Sequence, residues 1–337
     1  MKIWLWLAVL PVFVLFSSFN SAKEEHPVVI VIHGGAGDIV KEGMTADEIK
    51  AYQDKLDEAL EAGYKLMQGG GSSTDAVEAA INVMENAGIF DAGKGAVFNS
   101  EGKIELDASI MQGKDLKAGA VAGVTVIKNP ITAAKAVMQH TRHVLLVAHG
   151  AEEFARSQGL AIVDPSYFYT EKSHQDWLKV KAKDDSLRKS GHGSIGDKNK
   201  FGTVGVVALD KQGNLAAGTS TGGTTNKLAG RVGDSPLIGA GTYADNASCG
   251  VSCTGTGEYF IRLGVARDIA DMVAYKGYTV QKALETALEK VKNLGGTGGI
   301  IALDTKGNIA IDFITKGMNR GYIDKNGKKE IKMFREN

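Results

Sequence analysis

The sequence predicts an α+β protein in which two β-sheets lie face to face and helices cover their outer surfaces. Three observations support this prediction: 43% of the 337 residues are hydrophobic, β-branched runs lie at the ends of both halves, and each half has a pair of amphipathic stretches between its strands. Sheets and helices each bury one apolar face, so such halves complete one core by packing together. Length alone favours two domains at about 150 residues each, but the pattern makes the halves complementary parts of one.

Composition excludes several classes of protein. There are 43 glycines against 5 prolines, so many backbone positions need special angles. No Gly-x-y period and no acid-rich low-complexity run occurs, which excludes collagenous, coiled-coil and disordered chains. The 39 basic residues balance 39 acidic ones. Without a global positive field, nucleic acid is not expected as a partner.

Local patterns define the elements of the first half. Residues 28–32 are a β-branched run that the HGGAG sequence at 33–37 ends, which predicts a buried strand and a tight turn. Thr45 and Glu48 form a capping box that opens a helix to Met67. The remaining predictions are a helix over 73–86, strands over 103–111 and 119–127, and helices after Pro130 and over 151–158.

The middle of the chain changes character between residues 175 and 201, where apolar residues thin out and Gly, Ser, Asp and Lys dominate. This composition predicts a flexible linker. A long linker inside a compact protein is either functional or a processing site. Beyond it, the predicted elements are strands over 203–209 and 215–219 as a hairpin, helices over 258–275 and 279–294, and strands over 299–303 and 309–313.

Residues 1–22 are predicted to be a signal peptide outside the fold. Lys2 precedes an apolar run over 3–16, and small and polar residues then lead to the charged residues 23–25. The run is short for a bilayer span, and no other stretch of about 20 apolar residues follows. We therefore expect an exported chain, periplasmic or secreted, without membrane attachment once the signal is removed; an N-terminal anchor is the alternative.

The two cysteines, Cys249 and Cys253, are four positions apart. On a strand their Cα atoms would be about 13 Å apart, beyond the ~7 Å limit for a disulfide. They are predicted to be small buried apolar residues. The sequence has no further cysteines and no HExxH motif, so it gives no support for a zinc site.

Three clusters rich in glycine and threonine lie at the ends of predicted strands, at 201–205, 219–223 and 252–258. Glycine there lets backbone N–H groups approach a ligand, and threonine adds a hydroxyl. Together with three other motifs, in the same order along the chain, they resemble the isoaspartyl peptidase/L-asparaginase branch of the N-terminal nucleophile (Ntn) hydrolases, the plant-type asparaginases. The motifs are HGGAG at 33–37, FDAGKGAVFN at 90–99, GTVG at 202–205, TSTGG at 219–223, KLAGRVGDSPLIGAG at 227–241 and SCTGTGE at 252–258.

The resemblance implies a four-layer αββα sandwich made as a precursor that cuts itself between Gly202 and Thr203. An α subunit, 23–202, and a β subunit, 203–337, would form one catalytic domain and pair into a dimer of αβ units. The implied substrates are small molecules, L-asparagine and β-aspartyl dipeptides. The chemistry agrees, because an N-terminal threonine carries its own base in an α-amine whose pKa is near 7.7. The alternative is that Thr203 only opens a strand.

By the same resemblance, Thr221 forms a hydrogen bond near the nucleophile, and Thr254 with the Gly255 N–H forms the oxyanion hole. Arg231 and Asp234 would bind the substrate's α-carboxylate and α-amine. The alternatives are plain strand threonines and an ordinary surface ion pair between Arg231 and Asp234.

The resemblance also bears on ions and on one departure from the family pattern. The chemistry requires no cofactor, but family members bind sodium through backbone carbonyls. The corresponding residues here are Met84, Glu85, Ala87, Phe90, Ala92 and Lys94. The family commonly has asparagine where this chain has Asp91, which would add a carboxylate near the site and alter self-cleavage or the local pH response.

Three competing functions remain open. Glycosylasparaginases have aspartate directly before the nucleophile, whereas this chain has Gly202, which favours the isoaspartyl peptidase branch. A nucleotide-binding protein would explain a strand followed by HGGAG, but GxGxxG and GxxxxGK[ST] are missing. The third is an exported amino-acid-binding protein without turnover.

Overall fold

Two β-sheets form the centre of the computed structural model, which describes residues 26–189 and 202–335. The strands are β1 (Val29–Gly37), β2 (Leu106–Gln112), β3 (Ala118–Val124), β4 (Leu145–Val147), β5 (Val204–Leu209), β6 (Leu215–Thr221), β7 (Thr242–Ala244), β8 (Cys249–Gly255), β9 (Gly298–Asp304), β10 (Ile309–Phe313), β11 (Gly317–Ile323) and β12 (Lys329–Phe334). The large sheet has the order β12-β11-β1-β5-β6-β2-β3-β4, and the small sheet has the order β10-β9-β8-β7. Neighbouring strands are antiparallel except β3 and β4.

The helices lie outside the sheets. They are α1 (Ala46–Gln68), α2 (Ser73–Asn86), α3 (Pro130–His140), α4 (Ala148–Ser157), α5 (Glu171–Lys189), α6 (Gly257–Leu263), α7 (Val265–Lys276) and α8 (Val280–Asn293), with 3-10 turns at Lys41–Gly43 and Pro165–Phe168. Helices α1, α2 and α3 pack on the large sheet, α7 and α8 pack on the small sheet, and β1, β5 and β6 pack against β8 and β9. The fold is therefore a mixed α/β arrangement with its sheets on the inside.

The first four residues of β1, at 29–32, are all apolar, and the position of the strand between two cores explains why. Ile30 and Ile32 belong to the core beneath α1 and α2, whereas Val29 and Val31 belong to the core shared with the small sheet. Successive side chains of a strand point to opposite faces. Because both faces are covered, residues 29–32 are apolar at every position.

The predicted helices of the first half are confirmed. Thr45 and Glu48 form the capping box of α1, and the Ser72 hydroxyl accepts a hydrogen bond from the Asp75 N–H at the start of α2. Each cap satisfies backbone donors that the first helical turn leaves unpaired. The strands predicted at 103–111 and 119–127 are present as β2 and β3, with shifted ends.

The tight turn predicted at 33–37 is wrong, because β1 continues through this segment. Gly37 still pairs with Gly317 of β11, and the register shifts between His33 and Ala36. Gly35 has a φ of +96°, a conformation that glycine adopts without steric cost. The glycines thus form an irregularity within a strand.

The linker predicted over 175–201 is wrong for residues 175–189, which belong to α5. The Trp177 ring lies 5.7 Å from that of Phe98, and the buried Asp184 carboxylate accepts a 2.8 Å hydrogen bond from Asn226. These anchors occupy one face of a helix in which most other positions are polar, so its composition resembles that of a linker. Residues 190–201 lie outside the described residues, as does the predicted signal peptide.

Three further results concern the second half. The single helix predicted over 258–275 is wrong, because Gly264, with a φ of +57°, separates α6 from α7. Strands β11 and β12 were not predicted, since their sequences are rich in glycine and charge. Cys249 and Cys253 are buried and free, as predicted.

In the part of the chain that the structure describes, no helix has the length and apolar character needed to cross a membrane.

Candidate active site

Thr203 lies directly before β5, and β5 is a central strand of the large sheet, between β1 and β6. It is buried, and its Oγ1 is 2.9 Å from Oγ1 of Thr221, the last residue of β6. The Thr221 Oγ1 also accepts a 2.9 Å hydrogen bond from the Gly223 N–H. Because a backbone donor occupies one side of Thr221, its hydroxyl is oriented, and it orients the hydroxyl of Thr203 in turn.

The Gly202 carbonyl precedes Thr203 and is held by the backbone of Asp91. The Asp91 N–H donates to Gly202 O at 3.1 Å, and the Asp91 carbonyl accepts from the Gly222 N–H at 3.0 Å. A Cβ on residue 202 would lie 2.5 Å from the Asp91 Cβ, so only glycine fits this contact. An N–H already directed at a carbonyl oxygen can stabilise negative charge that develops there.

The Asp91 side chain adds a buried carboxyl beside this peptide bond. Its Oδ1 accepts a 2.9 Å hydrogen bond from Val97 N–H, while Oδ2 is buried and has no hydrogen-bond partner among the described residues. Burial raises the pKa of Asp91 to about 7, against the opposing effects of the Val97 N–H and the Lys227 ammonium. Asp91 and Gly202 line a cavity of about 350 Å³.

Replacing Asp91 with asparagine is expected to stabilise the protein at alkaline pH. The folded pKa of about 7 lies above the ordinary 3.8, so the contribution of the protonated carboxyl is complete below pH 3.8 and is lost as the pH rises through 7. Between pH 5 and pH 8.5, the free energy of unfolding of the protein with Asp91 should fall by about 2 to 3 kcal/mol relative to that of the Asp91→Asn variant.

Thermal melts at both pH values measure this effect, in a Thr203→Ala background so that no α-amine forms nearby. Asp47→Asn is the control, because Asp47 is exposed at the start of α1. If the chain with Asp91 and the chain with the Asp91→Asn substitution differed in melting temperature by the same amount at both pH values, the prediction would be contradicted.

The guanidinium of Arg231 lies between the ends of β6 and β8. A Cβ on Gly223 would be 3.3 Å from its Nη1, and a Cβ on Gly257 would be 3.1 Å from its Nη2. Nε and Nη2 donate to the two carboxylate oxygens of Glu258 at 3.0 and 3.1 Å. Arginine has five N–H donors in a fixed fork. Glu258 therefore occupies one edge of the fork and leaves Nη1 for another acceptor.

Asp234 lies next to Arg231 but is not its ion-pair partner in the described structure, which contradicts the surface-pair alternative. The side chain is buried, and Oδ2 has no hydrogen-bond partner among the residues described. A Cβ on Gly257 would lie 2.8 Å from Asp234 Oδ1. Burial raises the pKa of Asp234 to about 7. A bound ammonium group would favour the ionised carboxylate and lower this pKa.

Thr254 belongs to the penultimate position of β8. Its side chain is on the same face as that of Ser252, two residues earlier, and Ser252 contacts the large sheet through His33. The Thr254 Oγ1 is buried and meets no hydrogen-bond partner in 26–189 or 202–335. A Cβ on Gly255 would lie 2.4 Å from the Thr297 carbonyl. Strands β6 and β8 thus bring Thr221 and Thr254 toward the same end, where Arg231 lies.

Three charged residues at this site were missed by sequence reasoning: Asp107, Lys227 and Glu258. Asp107 lies directly opposite Thr221 in the ladder between β2 and β6, and burial raises its pKa. The buried Lys227 donates to the Glu105 carbonyl at 3.0 Å, and its charge favours the ionised form of Asp107. Lys227 belongs to the motif at 227–241 and Glu258 to the motif at 252–258, so the sequence already indicated that both lie near the site. Asp107 belongs to no motif, and only the pairing of β2 with β6 places it there.

The segment proposed to hold sodium consists of the last turn of α2 and the loop that follows it. Its Glu85 carbonyl accepts from Lys94 N–H at 2.8 Å, and its Met84 carbonyl accepts from Ala87 N–H at 3.2 Å. A Cβ on Gly95 would lie 2.9 Å from the Phe90 carbonyl. Each of these carbonyls has a second lone pair that remains for another partner, and sodium binding stays a prediction. This prediction is tested by melting curves in sodium chloride and in potassium chloride, and identical curves in the two salts would contradict it. The described residues contain no cluster of three His, Cys, Asp or Glu side chains suited to a metal ion.

Comparison with known proteins identifies the family. A family model described as asparaginase matches residues 26–333. The chain is 48% identical over 295 residues to an isoaspartyl peptidase of Salmonella typhimurium, covering 87% of this chain and 94% of the relative. It is 47% identical to an isoaspartyl peptidase of Escherichia coli, covering 87% and 92%, and 43% identical to an isoaspartyl peptidase/L-asparaginase of Mus musculus, covering 89% of each chain. The chain therefore belongs to the asparaginase family.

Proposed function

We propose that this protein is a threonine-dependent amidohydrolase, made as a self-cleaving precursor, that hydrolyses the β-amide of L-asparagine and the isopeptide bond of β-aspartyl dipeptides. The observation that carries the proposal is the 2.9 Å contact between the hydroxyls of Thr203 and Thr221, directly after a Gly202 carbonyl that the Asp91 N–H holds. The packed sheets and helices would then be the αββα sandwich of an Ntn hydrolase. The names of the relatives support the substrate class.

In the cleavage step, the Thr203 Oγ1 attacks the Gly202 carbonyl carbon. The negative charge moves to the carbonyl oxygen, which the Asp91 N–H stabilises. The bond between Gly202 C and Thr203 N breaks, the nitrogen takes up the proton that the hydroxyl lost, and an ester joins the two chains. Water then hydrolyses the ester. The products are a carboxylate at Gly202 and a free α-amine at Thr203.

In turnover, that α-amine takes the proton of Thr203 Oγ1, which attacks the β-carbonyl carbon of the substrate. Thr254 Oγ1 and the Gly255 N–H would stabilise the oxyanion, each donor contributing about 3 kcal/mol. The proton passes to the leaving nitrogen as the amide bond breaks. Water hydrolyses the acyl-enzyme, releasing aspartate and restoring the threonine.

The substrate's amino-acid head group would bind between Arg231 and Asp234. A guanidinium edge can hold a carboxylate through two hydrogen bonds, and the buried, unpartnered Asp234 Oδ2 suits an ammonium. L-asparagine and β-aspartyl dipeptides carry the same head group. They differ in the leaving group, which is ammonia or an amino acid.

Mass spectrometry of the purified protein, followed by kinetics, tests the proposal. We expect a β chain that starts at Thr203 and hydrolysis of both L-asparagine and β-aspartyl dipeptides. An uncut chain with full activity would refute the threonine mechanism. A cut chain that acts only on glycan-linked asparagine would favour a glycosylasparaginase, and binding of amino acids without turnover would favour a binding protein.

We further propose that the precursor is exported and that its α chain begins near Lys23. The support is the order of Lys2, the apolar run at 3–16 and the charged residues 23–25. Expressed in a bacterium with its leader, the protein should be found in the periplasm or medium without Met1. Recovery solely from the cytosol with Met1 intact would contradict this.

We propose that the processed protein is a dimer of αβ units, as the family resemblance implies. Sedimentation of the processed protein should then give a mass of two αβ units. A single unit would contradict the proposal.

A further inference from the structure

A continuous set of buried hydrogen bonds runs between the two sheets, starting at the carbonyl of Thr203. His33 Nδ1 is 3.0 Å from Thr203 O, and His33 Nε2 is 3.0 Å from Ser252 Oγ. Four hydroxyls, here named the hydroxyl chain, continue it: Ser252 to Thr219 at 2.7 Å, Thr219 to Thr242 at 2.6 Å, and Thr242 to Ser109 at 2.8 Å. His33 and all four hydroxyl residues are fully buried.

The far end of the hydroxyl chain is the loop that carries Asp234. The Ser109 hydroxyl lies 2.6 Å from the carbonyl of Ser235, the residue after Asp234. A hydroxyl has one hydrogen, so Ser109 shares it between Thr242 Oγ1 and the Ser235 carbonyl. Through this shared hydrogen, the set of hydrogen bonds connects the backbone of the proposed nucleophile with the backbone of the proposed head-group site. Both ends are distant in sequence from the HGGAG motif that contains His33.

The protonation of His33 follows from its partners. A carbonyl oxygen only accepts, so Nδ1 must carry the hydrogen that reaches Thr203 O. Burial lowers the pKa of His33 to about 3, which makes the ring neutral and leaves Nε2 as an acceptor. Ser252 must then donate to Nε2 and accept from Thr219. One neutral imidazole thus sets the donor direction at the start of the hydroxyl chain.

Gly205 provides the space for this arrangement. A Cβ at this position would lie 2.0 Å from Ser252 Oγ and 2.2 Å from His33 Nε2. Any side chain would separate the two groups. The second glycine of the GTVG motif is therefore explained by the hydrogen bond between His33 and Ser252.

The Thr203 carbonyl needs such a partner because of its place in the sheet. The ladder between β5 and β6 begins at Val204, which pairs with Ser220, and the ladder between β1 and β5 ends at Gly205, which pairs with His33. Thr203 thus precedes both ladders. Once the Gly202–Thr203 bond is cut, Thr203 is a chain end, and chain ends fray unless they are held.

We propose that His33 is a positioning residue for the nucleophile. It holds the Thr203 carbonyl so that Oγ1 and the freed α-amine keep their orientation, and the hydroxyl chain keeps this end aligned with the loop that carries Asp234. The inference rests on the proposed threonine mechanism. It adds a residue that acts through Thr203 and touches neither substrate nor product.

Two substitutions separate the two contacts of His33. Asparagine places an amide nitrogen at about the position of Nδ1 and can keep the bond to Thr203 O, whereas glutamine reaches about the position of Nε2 and can keep only the bond to Ser252. We expect His33→Asn to retain most of the wild-type kcat. His33→Gln should lose about tenfold to a hundredfold in kcat with little change in KM for L-asparagine.

Self-cleavage, followed by mass spectrometry, is a second readout, because it also depends on Thr203 Oγ1. Its rate should fall in the same order, wild type, then His33→Asn, then His33→Gln. His149→Asn is the matched control, because His149 is exposed. A purely structural role would lower the melting temperature and both rates of the two variants alike, and that result would overturn the proposal, as would wild-type kcat in His33→Gln.

Failure of the threonine mechanism would be seen separately. A wild-type chain that is active while uncut at Thr203 would refute the mechanism whatever the His33 variants do. A wild-type chain that is cut, with His33→Asn and His33→Gln equally impaired, would refute only the positioning role.

Discussion

Replacing Thr203 with alanine is expected to give a folded chain that is neither cut nor active. Alanine has no hydroxyl to attack the Gly202 carbonyl, so no α-amine is formed, and no nucleophile is left for the substrate. Loss of a catalytic nucleophile lowers kcat by roughly 10⁴-fold or more. Electrophoresis should show one chain, and release of ammonia from L-asparagine should fall to background.

Thr203→Ser is the matched control for this prediction. Serine keeps the Oγ that lies 2.9 Å from Thr221 Oγ1 and loses only the methyl group that restricts its rotation. We expect partial cleavage and partial activity. A cut Thr203→Ala chain would assign cleavage to another nucleophile or to a contaminating protease.

Replacing Arg231 with alanine is expected to separate turnover from self-cleavage. Removal of one partner of a buried, hydrogen-bonded charge pair costs about 2 to 5 kcal/mol, which is a loss of about thirtyfold to several thousandfold in kcat/KM. Cleavage should be largely intact, because the Gly202–Thr203 bond carries no free α-carboxylate. Steady-state kinetics with L-asparagine and a gel of the same preparation measure both effects.

The hydrogen bonds of Arg231 refine this experiment. Glu258 holds Nε and Nη2, so Glu258→Gln should keep the guanidinium near its place and cost much less than Arg231→Ala. Arg231→Lys should rescue only partly, because an ammonium keeps the charge but loses the two-pronged geometry. Arg156→Ala is the control, since Arg156 pairs with Glu153 on the surface. A processed Arg231→Ala protein with near wild-type kcat/KM would assign the carboxylate to another residue.

The sequence alone was sufficient to predict a helix or a hairpin where the residues at its ends mark its boundaries. Helix α2 begins at Ser73 and ends at Asn86 as its apolar period predicts, because Ser72 caps its first turn. The predicted hairpin of β5 and β6 is also confirmed. Its turn is formed by neighbouring residues, since the Gly213 N–H donates to the Asp210 carbonyl. Such interactions span a few residues, so a short window of sequence contains them.

Long-range contacts decided what the sequence pattern did not predict. Helix α5 has the composition of a linker, and packing of Trp177 against Phe98 anchors it. Strand β1 runs on through a glycine-rich segment because β11, some 280 residues later, supplies hydrogen-bond partners on that side. A single sequence without strand pairing contains no local trace of either contact.

The site divides in the same way. The sequence by itself predicted the candidate reacting groups, because the motifs around Thr203, Thr221, Thr254 and Arg231 are continuous stretches that resemble those of a known family. Tertiary structure decided their surroundings: it set Asp107 opposite Thr221, paired Arg231 with Glu258, and placed His33 on the carbonyl of Thr203. The physical reason is that pKa values and orientation depend on burial and on partners from distant strands, and only the packed sheets bring those partners together.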